Sequence, residues 1–425
     1  MFWNDQKTIK WRNICSFWIF GLCNYYAFAI MLSAAESIMK NQKNHGSTPK
    51  NMTVSTCFSS VDSRYCENIS TGIVLIADIV PILLVKITFP FFINRIPFGI
   101  RHFIICACQF AGYLIVGLST STFMSLTGVV VASFGSGFGE ITYLALTSYY
   151  DRDAISSWSS GCGAAGLVAS FVFAALTEPH LGNLSSSETC LIMLVIPIIF
   201  GIAYFLILDT SNIFKINITK FNTWIIPNNY IPENLKKNHV IFENNVMNFK
   251  EKIIAIVPLL KLMIPLCVVY FGEYLINQGI TSLIIFDCKH SFYLSKESQY
   301  RWFQVTYQIG AFLSRSSIKV IKLPLLVIYL LPVFQILTLI FVLTEALYYF
   351  IPHISIVFII TILEGLFGGS CYVNAFDYIH SNAPKEIREY SLTAASLGDS
   401  VGVFIAGFLA IPMHNAVCKS KFYKR

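Results

Sequence analysis

The chain reads as all-α and polytopic: a membrane protein with a major-facilitator-like two-bundle fold and about 11 transmembrane helices. Three observations predict this. Of its 425 residues 55% are hydrophobic and 12% charged, against about a quarter charged in soluble domains, and the mean hydropathy is +0.63. Apolar runs of bilayer length recur along the whole chain. Basic residues gather on alternate connections, as the positive-inside rule requires. The net charge of +7 forms no continuous stripe, so the expected partner is the lipid bilayer and no nucleic acid.

Taken in order, residues 1–12 form a cytosolic N-terminus. The apolar runs fall at about 13–35, 71–93, 100–118, 122–148, 154–178, 189–209, 253–286, 301–318, 323–345, 353–378 and 390–413. The first resembles a signal peptide but is a full span long, so it reads as a retained helix. Residues 13–209 are then a six-helix bundle with a lumenal loop at 36–70. Residues 210–252 are a cytosolic linker rich in asparagine and lysine. Within it Phe242, Val246, Phe249 and Ile253 have the spacing of a helix lying on a membrane surface, with a disordered tether as the equal alternative. Residues 253–413 hold about five helices, and 414–425 are a basic tail. Eleven spans place that tail in the lumen whereas its composition suits the cytosol, and the sequence leaves both open.

Arg95, Arg101, Arg152, Lys319, Lys322, Lys385 and Arg388 mark the cytosolic connections. The lumenal loop carries the glycosylation acceptors Asn51-Met52-Thr53 and Asn68-Ile69-Ser70. Asn51 is the better placed, because Asn68 and a further acceptor at Asn183 lie close to the next span. Cys57 and Cys66 share that loop, and an oxidising lumen predicts a disulfide between them. No zinc-ligand spacing occurs, so no metal is expected.

The halves read as a repeat. Gly135-x-x-x-Gly139 recurs as Gly365-x-x-x-Gly369, and the polar break at Asp78 recurs as Gln308, both offset by roughly 230 residues. In the seventh span Tyr270, Glu273, Tyr274, Asn277 and Thr281 make one polar stripe at helical spacing, and Gln304, Gln308, Ala311 and Arg315 make another in the eighth. Stripes of this kind face a cavity, and Glu140 is expected to face Glu273 across it. With Asp78, Glu364 and Asp399, these are the candidates for a substrate or proton pathway, because intramembrane carboxylates are costly. The plain alternative is hydrogen bonding between helices. Desolvation favours a neutral carboxyl, so such a residue loads a proton from an acidic lumen, and proton coupling needs no cofactor. Lys86 and Lys261 are expected to reach an interface, and snorkelling is the alternative role for Arg315.

Gly161-Cys162-Gly163-Ala164-Ala165-Gly166 matches a dinucleotide fingerprint, but it opens a span with no preceding strand and reads as helix packing. Leu397-Gly398-Asp399 has Ser396 where intramembrane proteases need glycine. With no nucleophile elbow, metalloprotease motif or P-loop, the chain is not expected to be an enzyme.

These residues resemble the battenin family, endolysosomal membrane proteins linked to Batten disease, from about Phe17 to His414. The matching stretches are Gly21-Leu22-Cys23-Asn24, Met31-Leu32-Ser33-Ala34-Ala35, Ala77-Asp78-Ile79, Gly137-Phe138-Gly139-Glu140, Ile155-Ser156-Ser157-Trp158-Ser159-Ser160-Gly161, Tyr270-Phe271-Gly272-Glu273-Tyr274-Leu275-Ile276-Asn277-Gln278-Gly279, Ser314-Arg315-Ser316-Ser317 and Glu364-Gly365-Leu366. The resemblance implies a major-facilitator-related fold and residence in lysosomes and late endosomes. It also implies roles in lumenal pH, in basic amino-acid handling and in export of glycerophosphodiesters. Glu273 and Arg315 match positions that are functionally sensitive in the family, and Gln278 lies in the same matched stretch. Cys418 departs from the family's C-terminal prenylation box, since seven residues follow it. The expected function is an endolysosomal transporter of a small polar or phosphodiester solute. The alternative is a non-transporting scaffold that regulates trafficking or acidification through cytosolic proteins bound at 210–252.

Overall fold

The computed structural model describes residues 5–44, 59–61, 66, 71–91, 93–177, 182–211, 213–214, 224–226 and 249–421. Asn51, Asn68, Cys57, most of the 36–70 loop and most of the 210–252 linker lie outside them. The described residues are helical, with no strand among them. Ten helices are long and apolar enough to cross a membrane: α1 (Gln6–Asn44), α2 (Thr71–Thr88), α3 (Phe98–Gly117), α4 (Thr122–Thr147), α5 (Asp153–Thr177), α6 (Ser186–Ile207), α7 (Lys250–Leu283), α9 (Leu325–Tyr348), α10 (Ile354–Asn382) and α11 (Lys385–Lys419). Between α7 and α9 runs α8 (Lys296–Ser316), whose 21 residues suffice to span but carry a polar stripe that lowers their mean hydropathy.

Local chemistry sets the helix starts. Ser121 accepts a hydrogen bond from the Met124 amide at the head of α4, Ser185 and Glu188 close a capping box on α6, and Ser295 caps α8. The turn between α7 and α8 is fixed by Gln299, whose amide exchanges two hydrogen bonds with the backbone of Phe286. Residues Ile276–Ile280 of α7 widen into a π-helical turn, a distortion common at functional sites.

Packing follows the repeat. In the first half α1 packs on α5, and α4 packs on α2 and α3; in the second α7 packs on α11, and α10 on α8 and α9. The halves meet through α2 against α11 and α5 against α8, again corresponding pairs. The glycine repeat is not one seam used twice, however. Gly135 and Gly139 meet Cys108 of α3 and Asn24 of α1, and Gly137 is the position that meets Ile82 of α2. Gly365 and Gly369 both meet α8. The motif recurs in sequence, but the register against the neighbouring helix differs by two residues.

One end of the molecule carries the basic connections, and there the halves are tied by ion pairs. Arg152 makes a bidentate pair with Asp377, Lys319 lies 3.1 Å from Asp153, and Tyr149 donates to Glu389 at 2.8 Å. At the opposite end Cys66 is joined to Cys418, so the expected Cys57–Cys66 disulfide does not form. The shared polar loop made the local pairing attractive, but α11 ends beside the start of α2 and brings Cys418 within bonding distance of Cys66. Cys288, also outside the basic end, is disulfide-bonded too. Asn183 is exposed in the α5–α6 turn, in a left-handed conformation at φ 48°.

Candidate functional site

A cavity of about 190 Å³ lies between the two halves. Its walls run from Glu140, Arg315 and Asp399, toward the basic end, to Ala29, Ser170, Gln278 and Tyr300 nearer the other end. The volume is below the roughly 300–1,000 Å³ of drug-sized pockets, which suits a small solute.

The eighth-span stripe lies where the sequence placed it: Gln304, Gln308, Ala311 and Arg315 all line the cavity. Arg315 does not snorkel. It is buried, donates to the Tyr270 hydroxyl at 2.7 Å, and sits 4.6 Å over the ring of Tyr372. A guanidinium held this way keeps its fork oriented toward an anion or carboxylate.

The seventh-span stripe splits. Tyr270, Tyr274 and Asn277 line the cavity, as does Gln278 beside the stripe, but Glu273 and Thr281 do not. Glu273 turns into the second bundle, where its Oε1 accepts from the Tyr307 hydroxyl and its carboxyl packs over Gly368 of α10. The expected confrontation of Glu140 with Glu273 across the cavity is therefore absent. The cause is angular: a step of three residues and a step of four turn a helix to opposite sides of a line, and here one side is cavity and the other α10.

Glu364 and Asp78 are also interior to their bundles. Glu364 is fully buried, and its Oε1 accepts from Asn277 Nδ2 at 2.9 Å. Asn277 in turn accepts from Gln304 at 3.3 Å, which links Glu364 to the cavity wall. Asp78 accepts from Ser133 on α4. Oε2 of Glu273, Oε2 of Glu364 and Oδ2 of Asp78 have no hydrogen-bond partner among the described residues.

Glu140 and Asp399 do line the cavity, and what joins them was missed in the sequence. Lys86, 2% exposed, lies between them instead of reaching an interface: its Nζ is 2.8 Å from Glu140 Oε2 and 3.1 Å from Asp399 Oδ1. Lys261, by contrast, is exposed. The available signal for Lys86 was arithmetic, since two intramembrane carboxylates need a counter-charge. Among the described residues one His/Cys/Asp/Glu group is close enough to ligate a metal, Cys66, His414 and Cys418, and two of its three ligands are the disulfide pair.

Comparison with known proteins agrees with this architecture in extent. Residues 15–420 match the family model described as CLN3 protein. The chain is 35% identical to battenin of Canis lupus familiaris over 415 residues, covering 97% of this chain and 93% of that protein. It is 33% identical to protein btn-1 of Neurospora crassa, covering 95% and 88%, and 31% identical to protein BTN1 of Yarrowia lipolytica, covering 95% and 94%. With a match that runs through every helix from α1 to α11, the chain belongs to the CLN3, or battenin, family.

Proposed function

We propose that this protein is a secondary transporter of the lysosomal and late endosomal membrane, exporting a small polar solute and contributing to lysosomal pH homeostasis. The observation that carries the reading is the cavity between two halves with matching helix contacts, with Glu140, Arg315, Gln308 and Asp399 in its walls, the arrangement in which alternating access operates. The basic end faces the cytosol by the positive-inside rule, which puts the N-terminus there as well. The solute is of the glycerophosphodiester type or a basic amino acid. For the phosphodiester, Arg315 supplies the counter-charge, and Tyr270, Asn277 and Gln308 supply neutral hydrogen bonds. Proton coupling would let an acidic lumen drive export. Asn183 and Asn51 are the glycosylation sites to test.

Flux into or out of proteoliposomes under a pH gradient tests this. Radiolabelled glycerophosphodiester or cationic amino acid is expected to move, and Arg315→Gln is expected to lower phosphodiester flux at least about tenfold through loss of a charge-assisted pair. Lack of movement of either solute sinks the transport reading. If replacing residues 212–250 by a neutral linker abolished cellular function while Arg315→Gln were tolerated, a scaffold role would replace it.

A further inference from the structure

The cavity floor holds one ammonium between two carboxylates, and the three groups are unevenly divided between the halves. Lys86 on α2 and Glu140 on α4 belong to the first half; Asp399 on α11 belongs to the second. Lys86 also donates to the carbonyl of Ser396 on α11 at 2.8 Å. Both carboxylates reach the cavity, whereas Lys86 is behind them. The other titratable or charged groups around the trio are Tyr25 on α1, Cys162 on α5, Cys267, Tyr270, Glu273 and Tyr274 on α7, Arg315 on α8 and Tyr372 on α10. Arg315 is the one cation among these, and it is engaged with Tyr270 and Tyr372.

For the floor to open, α2 must part from α11. If both carboxylates are ionised, parting leaves Lys86 with Glu140 and strands the Asp399 carboxylate in the second half without a cation, which is costly in a low-dielectric interior. If Asp399 is protonated, parting strands no charge: a neutral acid stays on α11, and Lys86 and Glu140 remain a closed pair inside the first half. Protonation of Glu140 does the reverse, because Lys86 then has Asp399 as its remaining partner and the halves are held together.

We propose that Asp399 is the proton-binding site of this protein and that Lys86 is a clasp between the halves, released to Glu140 when Asp399 takes a proton from the cavity. This deepens the transport reading and rests on it for its purpose, but it is tested without measuring flux. The full chain in nanodiscs is labelled with spin probes at Asp151 and Val320, both exposed at the basic end and on different halves. Distances are read at about pH 7.5 and about pH 5, which bracket protonation of a carboxyl in a partly wet site.

The native chain is expected to gain a longer-distance population at acid pH. Asp399→Asn is expected to show that population at both pH values, and Glu140→Gln to lack it at both. The same direction of change for the two variants, or a pH response that persists in Asp399→Asn, overturns the proposal. Should Asp399→Asn not fold, Glu140→Gln alone decides: acid-dependent lengthening in it overturns the clasp, and its absence supports it. A chain that shows opposite shifts but carries neither solute would keep the clasp and remove the transport reading; solute flux with pH-independent distances would do the opposite.

Discussion

Glu273 is held by fit as well as by a hydrogen bond. A Cβ at Gly368 would occupy the position of its Oε2, so α10 has a glycine where α7 brings a carboxyl. Gly368→Ala is therefore expected to destabilise the protein by about 1–3 kcal/mol, the usual penalty of overpacking, seen as a lower Tm in detergent. An unchanged Tm would mean that the carboxyl swings away at no cost. Asn277→Leu removes the donor to Glu364 Oε1 and leaves that group buried without it, at about 1–3 kcal/mol. Several candidate side chains were legible as polar residues in apolar helices, since Arg315, Gln304, Gln308, Tyr270 and Asn277 fall on the predicted stripes and themselves line the cavity. Which acids turn away from the cavity was not legible. That depends on α10 approaching α7 at Gly368, a contact between residues 95 positions apart in sequence.

At the scale of helices, glycine controls how closely α1 and α5 approach. A side chain at Gly161 would collide with the Trp18 carbonyl, and one at Gly21 with the Trp158 carbonyl, so the two backbones touch reciprocally. This is why a stretch with a dinucleotide fingerprint is a packing surface: small residues permit van der Waals contact where lipid supplies no hydrophobic drive between helices. Gly161→Leu is expected to prevent that approach and abolish the monodisperse folded species in size-exclusion chromatography, while Gly201→Ala, with nothing within 4 Å of the added carbon, is expected to leave it intact. Most of the span positions were readable, because bilayer thickness fixes run length, whereas of the eleven predicted spans ten are long and apolar enough to cross and the eighth, α8, is too polar to count by composition. The α4 and α10 glycine registers were not, since a sequence repeat specifies spacing along one helix and says nothing of the rotation of its neighbour.

Across the whole molecule, the two ends are closed by different chemistry. Of the ion pairs at the basic end, Lys319–Asp153 has both side chains partly exposed, 53% and 30%, so it contributes on the order of 0.2–1 kcal/mol and can break in a working cycle, whereas Arg152 is half-exposed but holds the buried Asp377. The Cys66–Cys418 bond at the other end is covalent and joins the loop before α2 to the last turn of α11 across 352 residues. It also bears on the basic tail, whose side the sequence left open. A disulfide persists in an oxidising compartment, so residues near Cys418 share the side of the 36–70 loop, and eleven spans lead to the same result. The decisive measurement introduces a protease site within residues 227–248, which lie between the halves. In a Cys288→Ser background, which removes the other disulfide, the two fragments are expected after cleavage to migrate as one band on a non-reducing gel and to separate on reduction, with an added Cys418→Ser separating them in both cases. Fragments that part without reductant would remove the bond. An epitope placed after Arg425 and reachable from the cytosol would place the tail on the basic side and break the link between disulfide and topology.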